Sequence, residues 1–209
     1  MLLETERALI VQHAGLLRPD GLVVGTAGNL SVRTGDLVAI TPSSVDYDVL
    51  DPGLICVVGL DGGIVEAERA PSSELPMHLA VYRATDAAAI VHTHAPYATT
   101  LASVVDELPA IHYMIAELGG PVLVAPYATF GTDELAGSVM SALHGRSAVL
   151  LGSHGTLTVG DSLEQAYWRS VLLEWLAALY FRAALLGEPR LLPTGEIELV
   201  AARLRAIQR

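Results

Sequence analysis

The chain contains no lysine; all 12 of its basic side chains are arginine. A Schiff-base aldolase, a pyridoxal-phosphate enzyme and a Walker-type nucleotide site each place a lysine at the chemistry, so all three are excluded. A coding bias toward arginine and alanine accounts for the absence as well as selection does, and the exclusion holds under either cause. Cysteine is nearly as scarce. Cys56 stands alone, which leaves no intrachain disulfide and no cysteine-rich metal site, so any metal must be held by nitrogen and oxygen. No cluster of positive charge occurs, and the formal net charge is -11. Nucleic acid and anionic membrane surfaces both need clustered positive charge, so neither is expected as a partner. The opening Met1-Leu2-Leu3-Glu4-Thr5-Glu6-Arg7 is charged where a secretory leader needs a basic start and an apolar run, so a cytoplasmic protein is expected. The uncharged stretch 87–105 has the length of a membrane span, but His92, His94, Pro96 and several threonines interrupt it. It reads as a buried strand followed by a helix. No break in composition divides the 209 residues, and a single domain over 1–209 is expected.

What is present centres on Ile90-Val91-His92-Thr93-His94-Ala95-Pro96, an apolar run ending in two histidines one residue apart. Side chains on a strand alternate faces, so His92 and His94 point the same way, about 7 Å apart along the chain. Two imidazoles in that relation suit a tetrahedral or five-coordinate divalent ion such as zinc. They equally suit a hydrogen-bonded polar spot, and the rest of the chain must decide. Pro96 stops the pairing, which puts the pair at a strand's carboxyl end, where α/β folds bind small molecules.

Around this run the chain alternates helices and short strands. Thr5 to Arg18 has apolar residues at helical spacing and is stopped by Pro19-Asp20-Gly21. Gly25-Thr26-Ala27-Gly28-Asn29 precedes the strand-like Leu30 to Arg33. The order helix, glycine turn, strand is the reverse of a dinucleotide fingerprint, although such a loop can still aim backbone amides at an anion. Thr34-Gly35-Asp36 turns into Leu37 to Ile40, followed by the hydroxyl-rich Thr41-Pro42-Ser43-Ser44, and Gly59 to Gly62 links Leu54–Val58 to Gly63–Glu66 as a second hairpin. Antiparallel hairpins among helices predict a mixed sheet. Pro71-Ser72-Ser73-Glu74 reads as a helix start with a serine N-cap and an acid in the first turn. It is either a cap alone, or a phosphate seat of free amides and hydroxyls beside a usable carboxylate. His78 lies four residues on, on Glu74's face, where a histidine among apolar residues packs more often than it ligates. Tyr97–Val105 predicts a helix, 110–117 has no clear period, Val122–Val124 a strand, Asp133–Leu143 a helix capped by Thr132 or Asp133, and Ser147–Leu151 a strand. Gly152-Ser153-His154-Gly155 then puts a third histidine at a strand's end. Ser162 caps the longest helix, to Ala184, and 195–209 predicts a last short helix.

Taken in order, Gly25-Thr26-Ala27-Gly28-Asn29, Thr41-Pro42, Pro71-Ser72-Ser73-Glu74, His92-Thr93-His94, 111–115, Ala125-Pro126-Tyr127-Ala128-Thr129-Phe130-Gly131-Thr132 and His154-Gly155 resemble the class II aldolase and adducin family. The likeness runs from the first helix to about Ala184, and the 111–132 stretch is most similar to members that cleave L-fuculose 1-phosphate. The resemblance implies a three-layer α/β/α subunit with a mixed central sheet, in a homotetramer with active sites between neighbours. It implies metal ligands at His92, His94 and His154, with Glu74 as a ligand at rest and proton carrier in turnover. Zinc is the implied ion, with manganese or cobalt as substitutes. Phosphate would sit among Gly28, Asn29, Ser43, Ser44, Ser72 and Ser73, with Tyr113 as acid toward the aldehyde oxygen and Phe130 on the aldehyde side. The implied activity is cleavage of a ketose 1-phosphate to dihydroxyacetone phosphate and a short aldehyde, L-lactaldehyde for fuculose, through a zinc-stabilised enediolate. Lacking lysine, such an enzyme has to use metal, and its glutamate needs partial desolvation to act as a base. A pentulose-phosphate 4-epimerase, a sugar-acid phosphate decarboxylase and a non-catalytic adducin-like assembly module are the alternatives. Two positions depart from the pattern: Ser44 stands where the fuculose-cleaving members have a glycine, and the tail lacks the tyrosine they place beside the aldehyde.

Overall fold

The apolar run before His92 forms the middle of a sheet. In the computed structural model, which describes residues 1–207, the elements are α1 (Glu4–Leu17), β1 (Asn29–Thr34), β2 (Leu37–Ile40), β3 (Cys56–Gly59), β4 (Ile64–Glu66), α2 (Leu75–Ala84), β5 (Ala89–Thr93), α3 (Pro96–Ala102), β6 (Glu107–Leu108), β7 (Val122–Ala125), α4 (Asp133–Leu143), β8 (Ala148–Leu151), β9 (Gly155–Gly160), α5 (Leu163–Leu186) and α6 (Thr194–Ile207). Tyr47–Val49 and Tyr113–Leu118 are short 3-10 helices. The last two residues of the helix expected over 195–209 lie outside the described residues. Among those described, no helix is long and apolar enough to cross a membrane.

The strands form one sheet in the order β4-β3-β2-β1-β5-β9-β8-β7-β6. It is mixed, as the hairpins predict: β7 and β8 run parallel and the other neighbours antiparallel. Strand alternation divides the core between two faces. Ala89, Val91, Ala148 and Leu150 pack with residues of α1, α3, α5 and α6, whereas Ile90, Val149 and Leu151 pack with α2 and α4. The result is the three-layer α/β/α architecture. By the same alternation His92 follows Ile90 toward the α2 side.

The sequence boundaries shift where tertiary contacts override local preference. α2 begins at Leu75, with Glu74 at the N-cap and Ser72 Oγ accepting from the Glu74 N–H at 3.2 Å. Residues 71 and 72 cannot join the helix, because Pro71 bridges Pro42 and the Ser72 N–H donates to the Thr41 carbonyl. β6, two residues long, carries too little pattern to be read. The caps on Ser162 and Thr132 form as expected, accepting from the Gln165 and Leu135 amides.

Antiparallel register places the site. β1 opposes β5 with Asn29 across from His92, and β9 opposes β5 with Thr156 across from Thr93. The starts of β1 and β9 and the ends of β2 and β5 therefore meet at one end of the sheet. Just past His94, the Glu174 carboxylate of α5 accepts from the Tyr97 and Ala98 amides at 2.9 and 2.8 Å, fixing the start of α3.

Candidate active site

The ligating atoms of Glu74, His92, His94 and His154 all lie within 4.8 Å of one another. His92 Nδ1 is 2.7 Å from the Thr156 carbonyl, which can only accept, so this nitrogen carries the proton. In the neutral ring, Nε2 is then a bare lone pair, yet it faces Glu74 Oε2 at 2.9 Å and His94 Nε2 at 3.0 Å. Glu74 Oε1 faces His154 Nε2 at 3.2 Å. Lone pairs converging in a buried place need a proton or a cation between them. Ligands about 2.0–2.1 Å from a tetrahedral ion lie about 3.3 Å apart, so the four residues fit a divalent ion.

The electrostatics agree. Burial works to raise the Glu74 carboxyl, but the adjoining His92 and His154 outweigh it and hold the group well below the usual carboxylate range. The partial desolvation expected for a base is present, but its effect is overridden while the histidines are in contact. Burial, with His92 and His154 beside it, lowers His94 to about 4, leaving a neutral ring with a free lone pair at ordinary pH. His78 is absent from this group. It is fully buried, its ring bonded to Asn29 and Ser31, and burial lowers it to about 3.

A cleft of about 330 Å³ opens from Glu74, His94 and His154. Its walls include Gly28, Asn29, Ser43, Ser44, Ser72 and Ser73, so the structure brings together every residue of the expected phosphate seat. Gly28 has φ +80, and a Cβ there would meet the His92 carbonyl at 2.7 Å, which makes glycine necessary for the loop to lie against β5. Ser44 has φ 57, the left-handed backbone that suits the glycine it replaces. Holding serine there costs roughly 1–2 kcal/mol. Phe130 lines the mouth with Tyr127, while Tyr113 does not line this cleft. Tyr113 is half exposed and its ring lies against His112, with centroids 4.5 Å apart.

Several supporting residues escape the sequence reading. Thr26, Ala27, Tyr127, Ala128 and Ser153 also line the cleft. Tyr47, from a stretch without distinctive pattern, places its hydroxyl 2.9 and 2.8 Å from the Ala27 and Gly28 carbonyls and pins the glycine loop. Asn29 touches Glu74, its Nδ2 donating to Oε2 at 2.9 Å. None of these contacts has a local sequence signal, since each joins segments far apart in the chain.

Fold and cleft together define a class: a three-layer α/β protein with a histidine-carboxylate centre beside a hydroxyl-lined seat. Residues 8–181 match the model of the Class II Aldolase and Adducin N-terminal domain, and the chain belongs to the class II aldolase and adducin family. Over 206 residues it is 43% identical to the 5-deoxy-D-ribulose 1-phosphate aldolase of Bacillus thuringiensis serovar kurstaki, covering 97% of each chain. Over 172 residues it is 44% identical to the L-fuculose phosphate aldolase of Escherichia coli K12, covering 81% of this chain and 79% of that one. A solved structure of L-fuculose 1-phosphate aldolase superposes with a TM-score of 0.94 at 42% identity, over 96% of both chains. Identity to the two kinds of aldolase is nearly equal, so it does not select the substrate.

Proposed function

We propose that the protein is a metal-dependent aldolase that cleaves a ketose 1-phosphate between C3 and C4, giving dihydroxyacetone phosphate and a short aldehyde. The observation that carries this reading is the convergence of Glu74, His92, His94 and His154 at the end of a cleft walled by the six residues expected to hold phosphate. Zinc is the proposed ion, with manganese or cobalt able to replace it. When bound, the ion would act as a Lewis acid toward the substrate's carbonyl and neighbouring hydroxyl oxygens as negative charge develops there.

The chain's own groups supply the rest. Amides and hydroxyls of the 28–29, 43–44 and 72–73 segments would hold the phosphate. Against the histidines Glu74 is ionised; moved off them by substrate, it keeps the burial that favours its protonated form and loses the rings that oppose it. It can then carry a proton to and from C3, the carbon next to the carbonyl. Cleavage also needs a base at the C4 hydroxyl. Tyr113 is the proposed acid toward the aldehyde oxygen in the reverse direction. Because it lies outside this chain's cleft, that role requires a second copy, as in the homotetramer implied by the resemblance.

Two substrates follow from the relatives' names. 5-Deoxy-D-ribulose 1-phosphate would give acetaldehyde, and the relative named for it aligns along 97% of both chains. L-Fuculose 1-phosphate would give L-lactaldehyde, and the 111–132 stretch favours it. The fuller alignment makes the 5-deoxypentulose the first substrate to test. Triose release is followed by coupling to glycerol-3-phosphate dehydrogenase, before chelation, after it, and after zinc add-back. Metal-dependent triose release is expected. Cleavage that persists without metal overturns the reading. Interconversion of pentulose phosphates without triose would point to an epimerase, carbon dioxide release to a decarboxylase, and a folded protein with neither metal uptake nor turnover to an assembly module.

A further inference from the structure

Glu74 is held from behind by a buried chain of side chains, of which His78, Ser31 and Tyr82 have no part in the chemistry above. Tyr82 O–H lies 2.7 Å from Ser31 Oγ, Ser31 Oγ lies 2.6 Å from His78 Nδ1, His78 Nε2 lies 2.6 Å from Asn29 Oδ1, and Asn29 Nδ2 lies 2.9 Å from Glu74 Oε2. Tyr82, Ser31, His78, Asn29 and Glu74 are 1, 0, 0, 4 and 6% exposed, so water cannot substitute for a missing partner.

The direction of every bond follows from the carboxylate. An ionised carboxylate only accepts, so Asn29 must turn its NH2 toward Glu74 and its carbonyl oxygen toward His78. That oxygen only accepts, so His78 Nε2 carries the ring proton. Nδ1 of the neutral ring is then an acceptor, Ser31 must donate to it, and Tyr82 must donate to Ser31. Reversing any member sets two acceptors or two donors face to face in a dry site, at a cost of about 1–3 kcal/mol.

Resting on the metal-centre reading above, we propose that His78 is a positioning residue for Glu74, acting through Asn29. The ring locks the amide with its nitrogen toward the carboxylate, and so fixes the donor that holds Oε2 beside His92, where a metal ion would be bound. Without the ring, the amide is free to turn its oxygen toward Glu74, and the carboxylate loses its fixed aim. Outer-shell partners of this kind are worth about 10–100-fold in metal affinity or activity.

The test compares three variants of the full chain with the wild type. Zinc affinity is measured on metal-free protein by competition with a chelating dye, without substrate. Triose release gives kcat and KM, and thermal unfolding gives stability. His78→Leu is expected to bind zinc about 10–100-fold more weakly and to lose kcat by a similar factor, with a smaller change in KM. His78→Gln, whose amide nitrogen is expected to replace Nε2 as the donor to Asn29 Oδ1, should recover both to within about 5-fold of wild type, below the roughly 10–100-fold outer-shell loss. A purely structural role would lower the unfolding temperature in both variants while leaving affinity and kcat per bound zinc unchanged, and that result overturns the proposal. So does a His78→Gln indistinguishable from His78→Leu. Should His78→Leu fail to fold, Ser31→Ala removes the donor that fixes the tautomer, and an affinity equal to wild type there overturns the proposal in its place. Wild-type protein that takes up no zinc overturns the metal-centre reading, and this inference with it. Wild-type uptake with unaltered uptake by the variants overturns this inference alone.

Discussion

The two ends of the cleft are built differently. At the closed end, His92 and Glu74 are 0 and 6% exposed, and each is held by a partner outside the cluster, Thr156 for the ring and Asn29 for the carboxylate. At the mouth, Tyr127 and Phe130 are 65 and 61% exposed, as is Tyr113 outside it at 50%. The closed end rests on sheet register, which fixes positions to within a hydrogen bond. The mouth rests on loops, which tolerate change. On the proposed reading, the reaction chemistry belongs to the closed end and discrimination between aldehydes to the mouth. Substitutions should follow that gradient, with effects shrinking from the ion outward.

The largest effect is expected at Glu74. Glu74→Gln keeps the shape and the contact to Asn29 but cannot take up a proton, and should lower kcat by about 10²–10⁴-fold. A variant retaining more than a tenth of wild-type turnover would break the comparison at its closed end. Next is Gly155→Ala. A Cβ at 155 would collide with the Thr93 carbonyl and come within 3.0 Å of His94 Cδ2. β5 and β9 must part to admit it, so a loss of about 1–3 kcal/mol of stability is expected, accompanied by weaker uptake of a divalent metal. Chemical denaturation and metal analysis of the same sample check both.

How much of this was legible in the sequence follows the same gradient. His92 and His94 are readable because the period of a strand is two, and His154 because it interrupts a glycine turn at a strand's end. The mixed sheet follows from antiparallel hairpins among helices, and the three layers from the family resemblance. What remained hidden depends on long-range register. The Asn29 to His78 bond joins residues 49 positions apart, and Tyr47 reaches the glycine loop across 19 and 20. The histidine at 78 reads as a packing residue more than a ligand; it is fully buried outside the Glu74 cluster, with its ring bonded to Ser31 and Asn29. The start of α2 moved because a bridge to another loop holds Pro71. Tyr113 stands on a 3-10 helix outside this chain's cleft, in a stretch whose sequence has no clear period to place it. Ser44 shows the converse: its type departs from the expected glycine while its backbone takes the left-handed conformation that favours glycine.

Acid sharpens the comparison without touching the mouth. His78 titrates at about 3 in the folded protein because of burial, against an ordinary value of 6.5. A histidine with a lowered folded value supports the fold fully above the unfolded value, and that support is lost as pH falls from about 6.5 toward 3, because the unfolded chain binds the proton first. The slope is about 1.4 kcal/mol per pH unit. Between pH 7 and pH 5, metal-free wild type should lose about 2 kcal/mol relative to His78→Gln, which has no such group. Parallel pH profiles in urea denaturation would show that the ring is not held neutral. Smaller again is Ser43→Ala, which removes one hydroxyl from the wall of the seat. One hydrogen bond to a charged group is worth about 1.5–3 kcal/mol, less where water can enter. KM for the phosphorylated ketose should rise about 5–10-fold, and inorganic phosphate should inhibit correspondingly less, while kcat stays near wild type. A fall in kcat with unchanged KM would move Ser43 from the seat to the chemistry.

The smallest effect separates the mouth from everything behind it. Phe130 lines the mouth of the cleft with its ring mostly in solvent. On the proposed reading it faces the part of the substrate that lies beyond C4, where acetaldehyde and lactaldehyde precursors differ. An apolar pocket distinguishes ligands differing by a small group by only about 1–3 kcal/mol when it is closed, and an exposed ring supplies the low end of that range. Phe130→Ala should leave zinc content and unfolding temperature unchanged, and shift the ratio of kcat/KM for 5-deoxy-D-ribulose 1-phosphate over L-fuculose 1-phosphate about 3–10-fold. If both kcat/KM values fall together and the ratio holds, the ring aids turnover without discriminating, and the division of labour between the two ends of the cleft fails at its outer edge.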